Sequence, residues 1–125
     1  MRDFSVQATN RPGEIARVAN ALSKRGVNIK SIAALPIGNQ GVIHFVPDDV
    51  EAARASLQEA NIRFEEHEIV TVLLENHAGE LAGVAGKLAA HGVNLLALYV
   101  TGLEGDLVEL AIVADDAKKA KKVLE

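Results

Sequence analysis

Asn10-Arg11-Pro12-Gly13-Glu14-Ile15-Ala16-Arg17-Val18-Ala19, running on to Leu22 and Gly26-Val27-Asn28-Ile29, decides the fold because it occurs twice. The second copy is Asn76-His77-Ala78-Gly79-Glu80-Leu81-Ala82-Gly83-Val84-Ala85, then Leu88 and Gly92-Val93-Asn94-Leu95, aligned without a gap at a spacing of 66. Each copy reads as a sharp turn, an amphipathic helix and a glycine-stopped exit into a strand. Ile15, Val18, Ala19 and Leu22 recur at i, i+3, i+4 and i+7, which places one apolar stripe against a sheet. Pro12, with its φ suited to a first helical turn, is expected to start the first helix. Lys24 and Arg25 suit its C-terminal end, and Gly26 and Gly92 can take the left-handed conformation that stops a helix.

Outward from these copies, the chain alternates strands and helices. Phe4 to Thr9 alternates apolar and polar with period two, as in a strand buried on one face. Ile29 to Leu35 and Val42 to Val46 read as strands joined by a hairpin over Pro36–Gly41. Pro47-Asp48-Asp49 opens a second helix, and Asn61 to His67 contains a further strand, giving the order βαββαβ. In the second copy Ile69 to Leu74, Glu80 to Ala90, Leu95 to Thr101 and Leu107 to Val113 repeat the pattern. Asp115-Asp116 repeats Asp48-Asp49 at a spacing of 67, so the hairpin Gly102–Asp106 is expected to hold one extra residue. The counterpart of Asn61 falls beyond Glu125, so the second unit is expected to lack a last strand of its own. The fold class is therefore α+β: two ferredoxin-like βαββαβ units, residues 1–67 and 68–125, each an antiparallel sheet of order 4-1-3-2 with helices on one face. In the second unit Leu95 to Val100 is apolar on both parities, which predicts that its helix-free face packs on another sheet, most simply in a homodimer.

Composition narrows the function. Of 125 residues 49% are hydrophobic and 3% aromatic, so the interior must be built from Val, Ile, Leu and Ala. No cysteine is present, which removes disulfides and thiolate chemistry and fits a reducing compartment. The net charge is −4, with eight Lys/Arg against eight Asp/Glu in residues 1–66 and five against nine in residues 67–125. That balance argues against nucleic acid, and no apolar segment has membrane-spanning or signal length, so a cytoplasmic location is expected.

The strand leading into Asn10-Arg11-Pro12-Gly13-Glu14-Ile15-Ala16, with Val18, Leu22 and Gly26-Val27-Asn28-Ile29 at matching spacing, resembles the ACT domain, the small-molecule-sensing module attached to many amino-acid biosynthetic enzymes. The resemblance covers essentially the whole chain as two copies. The second departs in having Ala78 where the proline would be and in lacking the last strand. The resemblance implies that an effector binds where the turn meets the second strand of an adjacent unit. That carries over to Asn10, Arg11, Pro12, Gly13 and Glu14, to Asn76, His77, Ala78, Gly79 and Glu80, and to Asn28, Ile29, Asn94 and Leu95 as walls.

The residues themselves suit such a ligand. A turn opening a helix offers amide donors and a favourable dipole to a carboxylate, and asparagine carbonyls can accept from an ammonium group. The plainer alternative is that the asparagines cap turns and strand ends and the glycines serve packing. His44, His67, His77 and His91 share no metal-ligand spacing and read as solvated or hydrogen-bonded, so no metal and no cofactor are expected. No nucleophile–base pair, paired-carboxylate site, Walker loop or dinucleotide fingerprint is present, so no enzymatic activity is expected. The leading expectation is a regulatory protein that binds an amino acid, changes assembly and acts on a separate enzyme partner. The alternative is an unliganded protein-interaction or oligomerisation module, in which the open edge of the second unit accepts a partner strand.

Overall fold

Alternation at the start of the chain builds a half-buried strand. β1 (Arg2–Thr9) turns Phe4, Val6 and Ala8 into a core and leaves Gln7 exposed. The computed structural model describes Met1–Glu125 throughout, and the chain divides into two compact units, Met1–His67 and Glu68–Glu125.

The first unit continues with α1 (Glu14–Ser23), β2 (Ile29–Ile37), β3 (Gln40–Pro47), α2 (Val50–Glu59) and β4 (Glu65–Glu68). Its four strands lie in the order β2-β3-β1-β4, the arrangement expected from two β-α-β crossovers. Val18, Ala21 and Leu22 of α1 and Ala53 and Leu57 of α2 close over Phe4, Val6, Ile43 and Phe45. All three phenylalanines of the chain meet here: the Phe4 ring lies 5.4 Å from Phe45 and 5.5 Å from Phe64. Charge fastens β4. Glu66 accepts from Arg54 at 2.6 and 2.8 Å and from Arg2 at 3.1 Å, and the Arg54 hydrogen bond leads in holding its carboxyl below the ordinary glutamate value.

The second unit comprises β5 (Val70–Glu75), α3 (Glu80–Ala90), β6 (Leu95–Glu104), β7 (Leu107–Ala114) and α4 (Ala117–Leu124). Its sheet has three strands in the order β5-β7-β6, with no fourth strand beside β5. Val70, Leu88, Val93, Ile112 and Ala120 form its core. On the opposite parity Tyr99, Ala111 and Val113 are also buried, while Leu73 on that face stays exposed. No helix is long and apolar enough to cross a membrane.

Three local expectations are corrected. The first hairpin does not span Pro36–Gly41: β2 and β3 pair out to Ile37↔Gln40, leaving a two-residue turn, Gly38-Asn39, with Gly38 at φ 62°. The extra residue of the second unit does not sit in its hairpin, which is the equivalent tight turn Gly105-Asp106. It is absorbed at Thr101, where the β6–β7 register shifts between Val100 and Gly102. A bulge accommodates an unmatched residue without breaking the tight turn, and the Thr101 hydroxyl fastens this one by donating to Glu109 Oε1 at 2.7 Å. Finally, α1 begins at Glu14, not at Pro12. Gly13 takes φ 92°, a conformation that places Pro12 in the preceding turn. Ile15 consequently sits in the first turn at the end of the apolar stripe and is 52% exposed.

Candidate functional site

The repeated turn has nearly one backbone in both units. Gly13 has φ 92°, ψ −7° and Gly79 has φ 89°, ψ −14°. The Asn10 amide donates to Asn39 O at 2.8 Å and the Asn76 amide to Asp106 O at 2.7 Å, so each turn is tied to the tip of its neighbouring hairpin. In each, the fourth residue of the helix donates back to the glycine carbonyl, Arg17 at 2.9 Å and Gly83 at 3.0 Å. Ala78 in place of Pro12 therefore keeps the glycine conformation and the hairpin tie, while the second turn also has the His77 amide donating to Glu75 O at 2.8 Å and the Glu80 amide to His77 O at 3.4 Å.

Neither α1 nor α3 has a side-chain cap, whereas Asp49 and Asp116 cap α2 and α4 by accepting from Ala52 and Lys119 amides at 3.0 Å. The first turn of α1 thus keeps amides available to an external acceptor, whereas in α3 the Glu80 amide already donates to His77 O at 3.4 Å. In the first unit the helix start Glu14–Ala16 lines a groove of about 320 Å³. Its walls are the turn Thr9–Glu14, Ala34 to Pro36 of β2 and Gly41 to Ile43 of β3. Ile15 belongs to this lining, which gives an exposed apolar side chain a place beside the amides.

Two arginines surround a nearly buried carboxylate at this turn. Glu14 Oε1 accepts from Arg11 Nε at 2.8 Å and Oε2 accepts from Arg17 Nε at 3.0 Å. The Arg17 hydrogen bond leads in lowering the Glu14 pKa, with Arg11 adding to it against the opposing effect of desolvation. With both oxygens occupied, Glu14 positions the two guanidinium groups rather than presenting a free carboxylate. Asn10 is likewise engaged, its side-chain amide donating to Gly38 O at 3.1 Å.

The second turn carries different chemistry on the same backbone. The positions of Thr9, Arg11 and Arg17 hold Glu75, His77 and Gly83. Glu80, the counterpart of Glu14, has no arginine beside it, and His77 Nδ1 instead lies 3.2 Å from Glu75 Oε2. Sequence spacing missed this group: Glu75, His77 and Glu80 come from a strand end, a turn and a helix start, and the fold brings their ligand atoms within 4.8 Å of one another. A groove of about 490 Å³ runs beside them along Thr71–Leu74, Gly79, Glu80 and Gly83.

The strand-entry residues lie apart from the turns of their own units. Ile29 begins β2 at the end paired with Pro47, with Asn28 just before it, while the turn adjoins the Ile37–Gln40 end. The Asn28 amide donates to Asp48 Oδ1 at 3.0 Å and its carbonyl accepts from the Asp48 amide. Asn94 repeats this with Asp115, at 3.1 Å. Ile29 and Leu95 pack against their own cores. Each asparagine backbone thus joins a strand start to an aspartate before the second helix of its unit.

One polar cluster escaped the sequence reading. Asp3 is fully buried, with His44 Nδ1 at 2.9 Å and His67 Nδ1 at 3.2 Å from its Oδ2. It joins β3, β1 and the fourth-strand segment on the face away from the helices. The second unit has Ile69 and Ala111 at the positions of Asp3 and His44.

Residues 3–58, from β1 through most of α2 of the first unit, match the ACT domain family. No curated protein matches the chain. Among solved structures, the protein BT0572 from Bacteroides thetaiotaomicron superposes with a TM-score of 0.85 at 22% identity, covering 98% of this chain and 85% of that one. Aspartokinase alpha and beta subunits give a TM-score of 0.69 at 16% identity, over 98% and 88% of the two chains. The regulatory subunit of aspartate kinase from Thermus thermophilus, in a ligand-free form, gives 0.64 at 18% identity over 98% and 89%. These likenesses run through both units and establish a shared fold. Residues 3–58 of the first unit thus carry the ACT domain match, and the second unit repeats its turn on a shorter copy of the same fold.

Proposed function

We propose that this protein is a non-catalytic sensor that binds a small amino acid in the groove of the first unit and regulates a separate enzyme through a change in assembly. The observation that carries the reading is that the uncapped start of α1 lines a groove of about 320 Å³ with an apolar wall. That volume lies at the small end of ligand sites and suits a metabolite of amino-acid size. The ligand carboxylate would take the amides at the helix start. Its side chain would lie against Leu35, Val42 and Ile43, and Arg11 and Arg17 would add positive potential from the rim. Glu14 serves by fixing both arginines.

Asn28 and Ile29, or Asn94 and Leu95, would enter the site only from an adjacent ACT unit, which makes homodimerisation part of the proposal. An adjacent unit closing the groove would couple occupancy to assembly, because a ligand shared by two units stabilises their contact. The regulatory subunit of aspartate kinase offers a precedent for a chain of this fold acting on an enzyme. The test is a thermal-shift screen of the intact protein against the twenty amino acids. At least one is expected to raise the melting temperature in a concentration-dependent way, with sedimentation showing a change in assembly; no shift at millimolar concentration contradicts the proposal.

The open edge of β5, which pairs with β7 alone, favours a second reading in which a partner strand adds to the second unit. Thr71→Pro removes a donor from that edge. Partner recovery unchanged by a folded Thr71→Pro variant counts against it.

A further inference from the structure

We propose that the turn of the second unit is a divalent transition-metal site, with zinc as its reference ion, held by Glu75, His77 and Glu80. Imidazole nitrogen with two carboxylate oxygens is a donor set suited to zinc and its neighbours rather than to magnesium or calcium, which take oxygen alone. The ligand atoms already lie within 4.8 Å of one another. The His77 Nδ1 to Glu75 Oε2 separation is 3.2 Å. Two metal–ligand bonds of about 2.1 Å subtending that separation enclose an angle of roughly 100°, between the octahedral and tetrahedral values. Glu80, whose carboxylate lies within 4.8 Å of the other two ligand atoms, must close on the same centre to complete the set.

Comparison of the repeats supplies an independent argument. On a conserved turn backbone, three positions change in one electrostatic direction: Thr9 becomes Glu75, Arg11 becomes His77 and Arg17 becomes Gly83. Two of these add ligands, and two remove the guanidinium groups that neutralise the equivalent glutamate. Glu14 is saturated by Arg11 and Arg17, while Glu80 has no cationic partner and a histidine and a second carboxylate beside it. The positive end of the α3 dipole opposes a cation, and His77 and Glu75 are more than half exposed. Both features point to a reversible site of moderate affinity with coordination positions left to water. This inference is independent of amino-acid binding in the first unit, and the two fail separately.

The experiment is calorimetric titration of zinc into chelator-treated intact protein at neutral pH in a non-coordinating buffer, repeated with cobalt to record its visible spectrum. One equivalent is expected to bind saturably, with a cobalt spectrum showing nitrogen and oxygen ligation. His77→Arg, which installs the first unit's residue, and Glu80→Gln are each expected to weaken zinc binding by more than about tenfold, since even outer-shell partners of metal ligands are worth that much. His44→Ala and His91→Ala are expected to retain it. Circular dichroism verifies folding, and because His77 is exposed its replacement spares the core. Absence of saturable zinc binding, or zinc affinity unchanged by a folded His77→Arg variant, overturns the proposal.

Discussion

The turns at Gly13 and Gly79 share a backbone and differ in charge. Their glycines agree within 3° in φ, their asparagine amides reach the same place on the adjoining hairpin, and neither helix is capped by a side chain. Around that common frame the first unit places two arginines on one glutamate, and the second places a histidine and two glutamates together. Turn geometry and turn chemistry are therefore separable. Glycine and the hairpin contact set the former, and residues one turn away on either side set the latter.

The sharpest way to break this comparison is at the polar cluster, where the units differ most. Replacing Asp3 by the second unit's isoleucine leaves His44 and His67 without that buried acceptor, and we expect a loss of about 1–3 kcal/mol in denaturant unfolding. Adding His44→Ala, again the second unit's residue, is expected to recover part of it, because removing both partners of a buried polar contact costs less than removing one. A double variant no better than the single would mean that the cluster does not act as a unit.

Next in size are the glycines. Gly13→Ala and Gly79→Ala force a non-glycine residue to a φ near 90°, and we expect each to cost about 1–2 kcal/mol of its own unit's stability. No neighbouring atom lies within 4 Å of either added Cβ, so the loss reports backbone strain without a clash. Clearly unequal costs would show that the turns are not equivalent.

Charge gives a smaller and pH-dependent effect. The folded-state pKa values of Glu14 and Glu66, both in the first unit, are held below the ordinary glutamate value, Glu14 chiefly by Arg17 and Glu66 chiefly by Arg54. Between the folded and ordinary values the unfolded chain binds more protons, so stability rises with pH there. The contribution is full above the ordinary glutamate value and is lost as pH falls through the folded value. Thermal melts from pH 3 to 6 are therefore expected to show acid destabilisation of the first unit that Arg17→Gly reduces. A melting profile unaltered by Arg17→Gly would remove the arginine clamp from the account. The smallest effect belongs to Pro12→Ala, expected to change stability by less than about 1 kcal/mol, because Ala78 supports the same turn.

Much of this architecture is legible in residue order because its signals are local. The period-two alternation of Phe4 to Thr9, the stripe through Val18 and Leu22 and the helix stops at Gly26 and Gly92 each depend on residues a few positions apart. Repetition made the boundary between the two units readable from the spacing of 66. What escaped depends on pairing between strands. The extra residue at Thr101 is visible only in the β6–β7 register, since an insertion in a strand and one in its hairpin leave the same spacing. Asp3 reads as a polar residue near the chain start until β3 brings His44 beside it. Within its own unit Asn28 lies at the far end of β2 from the turn, joined to Asp48, so it can wall only the turn of an adjacent unit. Glu75, His77 and Glu80 follow no ligand motif because a left-handed glycine folds the chain back between them.

The central claim, that the first turn and its groove hold an amino acid, is tested most directly by titrating amino acids into the 15N-labelled intact protein and following amide resonances. Saturable shifts are expected, concentrated at Gly13 to Ala16 and at Leu35, Val42 and Ile43 and diminished in an Arg11→His/Arg17→Gly variant. Spectra unchanged by all twenty amino acids at millimolar concentration, or shifts confined to residues outside that groove, would contradict it.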